Sequence, residues 1–461
     1  MTWIDGLLIF ISILFGYSIL VTILNKKGIL KKYNIGVWGP VLLLKTKKGI
    51  GFLKRLSRKK RFWKAYGSSA VVVCFISMLI MVYFFIWQFI TLLGYDLTPA
   101  QKAQLPGIEF ALILPGINPI IPVEYLAYIL VALIVAIIVH EFSHGILTLV
   151  ANLKVKAMGI AYLIIPIGAF VEPDEEGLKE TKISKRMRVF AVGPVANFVV
   201  VLICLLLFSF VFMGSLQPAT DGVVIVSTSE DSPAEEYGFE PGMIITNINN
   251  SSIDSYYDFF VVMNNSQSGK EVEVGYYWNG YKNKTVIFAD KYEYYEENYP
   301  EFNNESFKGK GYFGIGPTSH DIYLSVLKNP FGDQTKDRFV FLLTLPVLGY
   351  VNGYNPIVSP FTESYIISGP LSVLPEPVFW GITNMIYWVF WINLMVGLFN
   401  VIPMLPLDGG YLFNDYLRMI VRKFKKNISE EKQEKIVGNI SLFVSLLILF
   451  LVLFPFIFKY I

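Results

Sequence analysis

Six stretches of this chain are apolar, and at membrane length that limits its architecture before any motif does. They run from Trp3 to Leu24, Ser69 to Leu93, Tyr125 to Leu149, Val189 to Met213, Val378 to Asn400 and Ile436 to Tyr460. Five are clear spans of the required ~20 residues, and a sixth is interrupted by polar residues. A bilayer offers no water to backbone groups, so each span must close its hydrogen bonds internally, as a helix. Charged residues make up 16% of the 461, against about 25% in a soluble domain. The expected fold class is therefore a polytopic α-helical membrane protein of about six transmembrane helices, with soluble mass inserted between them. The first stretch lacks a basic leader and a small-residue cleavage site, so it reads as a retained helix. Both cysteines, Cys74 and Cys204, sit in apolar runs, which excludes a disulfide framework and a cysteine-based zinc site.

Charge distribution orients the spans. Between Asn25 and Gly67 lie fourteen Lys/Arg and no Asp/Glu, and the positive-inside rule assigns that loop to the cytoplasm. Alternation then puts 94–124 outside, 150–188 inside, 214–377 outside and 418–435 inside, the last beginning with the basic RMIVRKFKK. These charges read as a solvated, headgroup-facing surface, and no nucleic-acid partner follows from them.

Against that background Val139-His140-Glu141-Phe142-Ser143-His144-Gly145 is conspicuous. It follows the run EYLAYILVALIVAII, where ionisable side chains are costly and usually functional. Residues four apart share a helix face, so His140 and His144 can bind one cation together, with Glu141 on the neighbouring edge. This is the H-E-x-x-H zinc signature, in which the Glu is general base. Two histidines merely satisfied in a bundle would be the bland explanation, but the chain has only three histidines in all. The third, His320, is a lone outside residue and is not expected to bind metal.

Zinc needs a third protein ligand, leaving one position open. Asp408 is the candidate. It follows Pro403 and Pro406 and precedes Gly409 and Gly410, a broken segment of the kind tolerated at membrane depth only where it lines a cavity or is buried in protein. Alone, P-L-D-G-G is ordinary turn chemistry; paired with H-E-x-x-H at matching depth, the ligand reading wins. Glu172 is the fallback third ligand.

HEFSH, NVIPMLPLDGG (Asn400, Pro403, Pro406, Leu407, Asp408, Gly409, Gly410) and Gly193-Pro194-Val195-Ala196-Asn197 together resemble the site-2 protease family of intramembrane zinc metalloproteases. The resemblance covers most of 125–215 and 365–415. It implies that His140, His144 and Asp408 hold one zinc per chain and that Glu141 activates water. By family position, Asn197 and Asn400 hydrogen-bond the substrate backbone or the oxyanion. The implied function is cleavage within transmembrane segments of membrane-protein substrates, in the cell membrane, nearer the cytoplasmic face. Two alternatives stay open: a membrane zinc protease of another type, such as a prenyl-protein protease, and a non-catalytic metal-binding membrane protein. The first would use a downstream Glu ligand, and the second would lack Glu141 or a ligand.

AMGIAYLIIPIGAFVEPDEEG is too short to span and reads either as a loop or, by the same resemblance, as a membrane-re-entrant hairpin over 160–173 whose edge can pair with an extended substrate. The segment 218–290 alternates short β-rich runs with turns and resembles a PDZ domain, with an extended peptide as a further partner. A ligand-free β-domain is the alternative, since no G-L-G-F-type loop is recognisable. The expected plan is N-terminal helices and a basic loop over 1–124, a catalytic membrane core over 125–215 and an extracytoplasmic PDZ-like α+β domain over 216–290. A linker or gate follows over 291–377, then a core helix with the LDGG motif over 378–415, and a loop with a last helix over 416–461. KYEYYEENYPEF reads as a linker, and FLLTLPVLGYV as a surface gate.

Overall fold

The computed structural model describes residues 3–460 apart from 34, 96, 99–101, 103–104, 106, 112–117, 164, 354 and 425–428. The chain divides into two units, one formed by 1–203 with 388–461 and the other by 204–387.

The main helices are α1 (Trp3–Lys26), α2 (Lys60–Gly94), α3 (Leu126–Val150), α4 (Ile183–Leu206), α5 (Glu376–Asn400), α6 (Asp408–Phe424) and α7 (Glu430–Phe458). Among the described residues, five helices are long and apolar enough to cross a membrane: those containing α2, α3, α4, α5 and α7. The first apolar segment also forms a continuous helix, α1. In the first unit, α2 packs through Ala70, Cys74 and Met78 on Met187, Ala191 and Val195 of α4 and Leu412 of α6. Alanines at this seam let the helix backbones approach closely, the usual device where lipid removes the hydrophobic drive for association. Farther along, Phe85 of α2 meets Ile448 and Leu451 of α7. Leu79, Ile90, Phe443 and Leu446 are left exposed, which suits hydrocarbon and would be costly in water.

An antiparallel sheet in this unit runs β1 (Ile35–Trp38), β2 (Val41–Thr46), β3 (Val155–Leu163), β4 (Ile165–Pro173), in that order. The hairpin read from sequence over 160–173 is thus longer, and two strands from the basic loop extend it. Leu42 pairs with Tyr162 and Thr46 with Met158. Those two strands escape a sequence reading because VWGPVLLL is embedded in a lysine-rich loop. Val155, Met158 and Val171 of the sheet pack with Ile146, Leu147 and Val150 of α3 and Val189 and Val192 of α4. β1 and β4 are its two edge strands.

The second unit contains an antiparallel sheet ordered β8 (Tyr281–Ile287), β7 (Glu271–Tyr277), β6 (Ile244–Ile248), β5 (Val223–Thr228), β9 (Ile315–Ser319). Inward residues Val223, Ile225, Ile245, Val274 and Val286 meet Phe239, Phe288 and Phe313 in its core. Asn279 and Gly280, with φ of 52° and 123°, make the turn between β7 and β8, as Asn-Gly does in tight hairpins. Ser255 and Asp258 form a capping box that starts the helix Tyr256–Asn265, satisfying its first free N–H groups. β9 lies past residue 290, where the sequence reading ends this domain. A bulge at Gly316/Pro317 interrupts its pairing with β5, and those residues disguise a strand as a turn. KYEYYEENYPEF is not a plain linker: Asp290 caps a helix over Lys291–Asn298 by accepting from the Tyr292 and Glu293 N–H groups. FLLTLPVLGYV lies within the helix Thr335–Asn352.

Candidate metal centre

Helix α3 presents His140 and His144 one turn apart, and their Nε2 atoms stand 3.1 Å from each other. Asp408, the first residue of α6, brings Oδ2 to 3.0 Å from each Nε2. Among the described residues these three form a group whose ligand atoms all lie within 4.8 Å. A tetrahedral zinc with bonds near 2.0 Å has ligand-to-ligand edges of about 3.3 Å, so the observed triangle is slightly tighter than the one a zinc ion would hold. Two imidazole nitrogens and one carboxylate oxygen are a donor set zinc accepts, and it leaves a fourth position free.

Backbone groups orient this triangle. His144 Nδ1 lies 2.6 Å from the Val189 carbonyl of α4. A carbonyl only accepts, so Nδ1 carries the proton and Nε2 keeps the lone pair a metal needs. Asp408 is delivered by the break between α5 and α6, where Pro403 and Pro406 stop helical continuation. Its carboxylate then starts α6, at the positive end of that helix dipole. Two glycines admit the close approach. A Cβ at Gly410 would come within 2.6 Å of the Met404 backbone, and a Cβ at Gly193 would clash with both rings, 2.7 Å from His140 Nε2. The space in front of Gly193 is therefore the space the two Nε2 atoms point into. The residues present fit a zinc ion on geometry and on donor chemistry alike.

Glu141 is tied to the sheet: its Oε2 accepts the Val171 N–H of β4 at 2.9 Å. Asn197 sits one turn beyond Gly193 on the same face of α4, fully buried, and neither its amide nitrogen nor its oxygen has a partner among the described residues. Asn400 donates one side-chain N–H to the Val396 carbonyl at 2.9 Å, so one of its two amide donors is occupied within α5. Glu172, the fallback ligand, is paired with Lys45 Nζ at 2.5 Å and does not join the triangle. The side chain of His320 lies outside the described residues. The Val189 carbonyl and the Val171 N–H are the functional groups a sequence reading misses, because a backbone group leaves no mark on residue type.

Comparisons with known proteins bear on identity. An uncharacterized protein of Methanocaldococcus jannaschii is 27% identical over 425 residues, 90% of this chain and 89% of that one. Zinc metalloprotease RasP of Shouchella clausii is 24% identical over 251 residues, so the match spans 53% of this chain and only about half, 54%, of that one. A solved PDZ domain of the SdrC-like protein from Listeria monocytogenes, 19% identical, covers 23% of this chain and 97% of that one with a TM-score of 0.17, a value from which no fold is assigned. The model of Peptidase family M50 matches residues 128–449, from the start of the H-E-x-x-H helix into α7. The chain belongs to Peptidase family M50, the site-2 proteases, and is a zinc metalloprotease of the membrane.

Proposed function

We propose that one zinc ion per chain is held by His140, His144 and Asp408, that Glu141 is the general base, and that the bonds cut lie inside transmembrane segments of substrate proteins. The observation that carries this reading is the triangle of two Nε2 atoms and one Oδ2 at 3.0–3.1 Å. It lies at residue 140 of an apolar helix that begins at Leu126. At about 1.5 Å per residue, that is roughly 21 Å along a hydrocarbon core of about 30 Å. When bound, zinc polarises a carbonyl and makes water a nucleophile at neutral pH.

The chain's own residues do the rest. Glu141 takes a proton from the attacking water and returns it to the leaving amine, while Val171 N–H steadies the carboxylate. Among the described residues Asn197 keeps a buried amide unpartnered, which costs about 1–3 kcal/mol per unsatisfied group; a substrate carbonyl or the oxyanion would satisfy its N–H. Asn400 serves the same backbone through its second amide N–H. A helical substrate hides its peptide bonds, so it unwinds, and the outer edge of β4 beside Glu141 gives the freed groups main-chain partners. Residues 26–64 and 418–435 face the cytoplasm, and residues 218–377 lie outside. There the PDZ-like domain over 216–290 acts as a size filter or holds an extended peptide. The site opens toward the cytoplasm, from which water is supplied.

Metal analysis of purified protein tests the ligand set. The wild type should carry one zinc per chain, and His140→Ala, His144→Ala or Asp408→Ala should strip metal and activity together. Stoichiometric zinc with full turnover in Asp408→Ala would move the third ligand elsewhere.

A further inference from the structure

Arg186 lies seven residues before Gly193 on α4, and Asp415 lies seven residues after Asp408 on α6. Seven residues are about two turns, so each sits on the same face as its counterpart at the metal centre, roughly 10 Å along the helix. The two helices are joined at that second level too. Arg186 Nε donates to both Asp415 oxygens at 3.0 and 2.8 Å, and Nη2 reaches Oδ1 at 2.5 Å. The remaining Arg186 nitrogen, Nη1, donates to the Lys179 carbonyl at 2.9 Å. Asp415 is fully buried and also accepts from Arg418 Nη1 at 2.9 Å. Arg418 in turn grips Glu434 of α7 through two bonds of 2.7 Å.

A buried ion pair is poor evidence of stability, because desolvation offsets most of the attraction; its best-attested use is to fix register. Register matters for this pair of helices. α4 supplies the Val189 carbonyl that orients His144 and the glycine against which both rings lie, while α6 supplies Asp408. Sliding α6 along α4 by an ångström would carry Oδ2 out of the triangle. An arginine fork with two donor nitrogens on one carboxylate resists that slide in a way an apolar contact does not.

We infer that Arg186 and Asp415 are a positioning pair for the metal centre, locking α6 against α4 so that Asp408 meets His140 and His144. This rests on the ligand assignment proposed above. Groups that hold ligands in place typically contribute 10–100-fold to metal affinity.

The test uses the full chain in detergent or nanodiscs. Zinc affinity is measured by chelator competition and geometry by the visible spectrum of the cobalt-substituted protein, for wild type, Arg186→Lys, Asp415→Asn, the exchanged double variant Arg186→Asp/Asp415→Arg, and Asp408→Ala. Arg186→Lys keeps the charge but not the fork, and is the variant that decides if Asp415→Asn does not fold. Arg186→Lys and Asp415→Asn should each bind zinc about tenfold or more weakly. They should also shift the cobalt bands and lower kcat more than they change KM, and the exchanged variant should recover part of the loss. Lower melting temperature with wild-type zinc affinity and an unchanged cobalt spectrum would overturn the proposal, leaving the pair merely structural. Equal zinc affinity in wild type and Asp408→Ala would instead remove the ligand assignment itself, and the positioning role with it.

Discussion

Glu141 has one oxygen engaged by Val171 N–H and is not among the grouped ligand atoms of His140, His144 and Asp408, so the proposed assignment gives its carboxylate to proton transfer rather than to metal binding. Glu141→Gln should therefore keep zinc while losing about 10²–10⁴-fold in turnover, the usual share of a general base. Metal content and peptide-release rate, measured on the same preparation, check this. Gly193→Ala is the complementary case. Its added methyl would fall on the two Nε2 atoms, so it should lose zinc along with activity, at an overpacking cost of about 1–3 kcal/mol. Full zinc occupancy in Gly193→Ala would show that the ion sits elsewhere. At this scale much of the site is legible in the sequence. Metal ligation demands particular side chains, and HEFSH and PLDGG display them. The Arg186–Asp415 pair was not legible, because its members are 229 residues apart and a single Arg and Asp carry no motif.

The helical elements could be read from apolar length alone, since hydrocarbon permits little else. Strands fared worse. β1 and β2 hide in a loop whose lysines dominate its pattern, and β9 is interrupted by Gly316 and Pro317. What the sequence could not announce is that the hairpin beside α3 belongs to a four-stranded sheet with β4 at one edge and hydrogen-bonded to Glu141. If substrates unwind and add to that edge, their local helix stability should govern the rate. Glycine or proline near the scissile bond should speed cutting, and a leucine-rich replacement should slow it, by roughly the 1–3 kcal/mol that separate these residues in a helix. Single-turnover rates on a matched substrate series measure this; rates independent of helix propensity would argue against strand addition.

Over the whole molecule, the proposed orientation rests on the arginine- and lysine-rich loop before α2. The native cysteines Cys74 and Cys204 are buried, which gives a quiet background for labelling. A cysteine at the exposed turn residue Asn279 should react with an impermeant maleimide on intact cells, and one at exposed Lys59 only after permeabilisation. The reverse pattern would invert the topology. In the proposed orientation α3 enters from outside, which puts His140 and the candidate zinc site past the bilayer midplane and so sets where hydrolysis is expected. Mass spectrometry of the product ends of a single-pass substrate therefore tests the central claim most directly. New termini should fall inside the substrate's membrane segment, nearer the cytoplasmic face, and should be absent with Glu141→Gln. Termini in the extracytoplasmic juxtamembrane region, or the same products from Glu141→Gln, would contradict it.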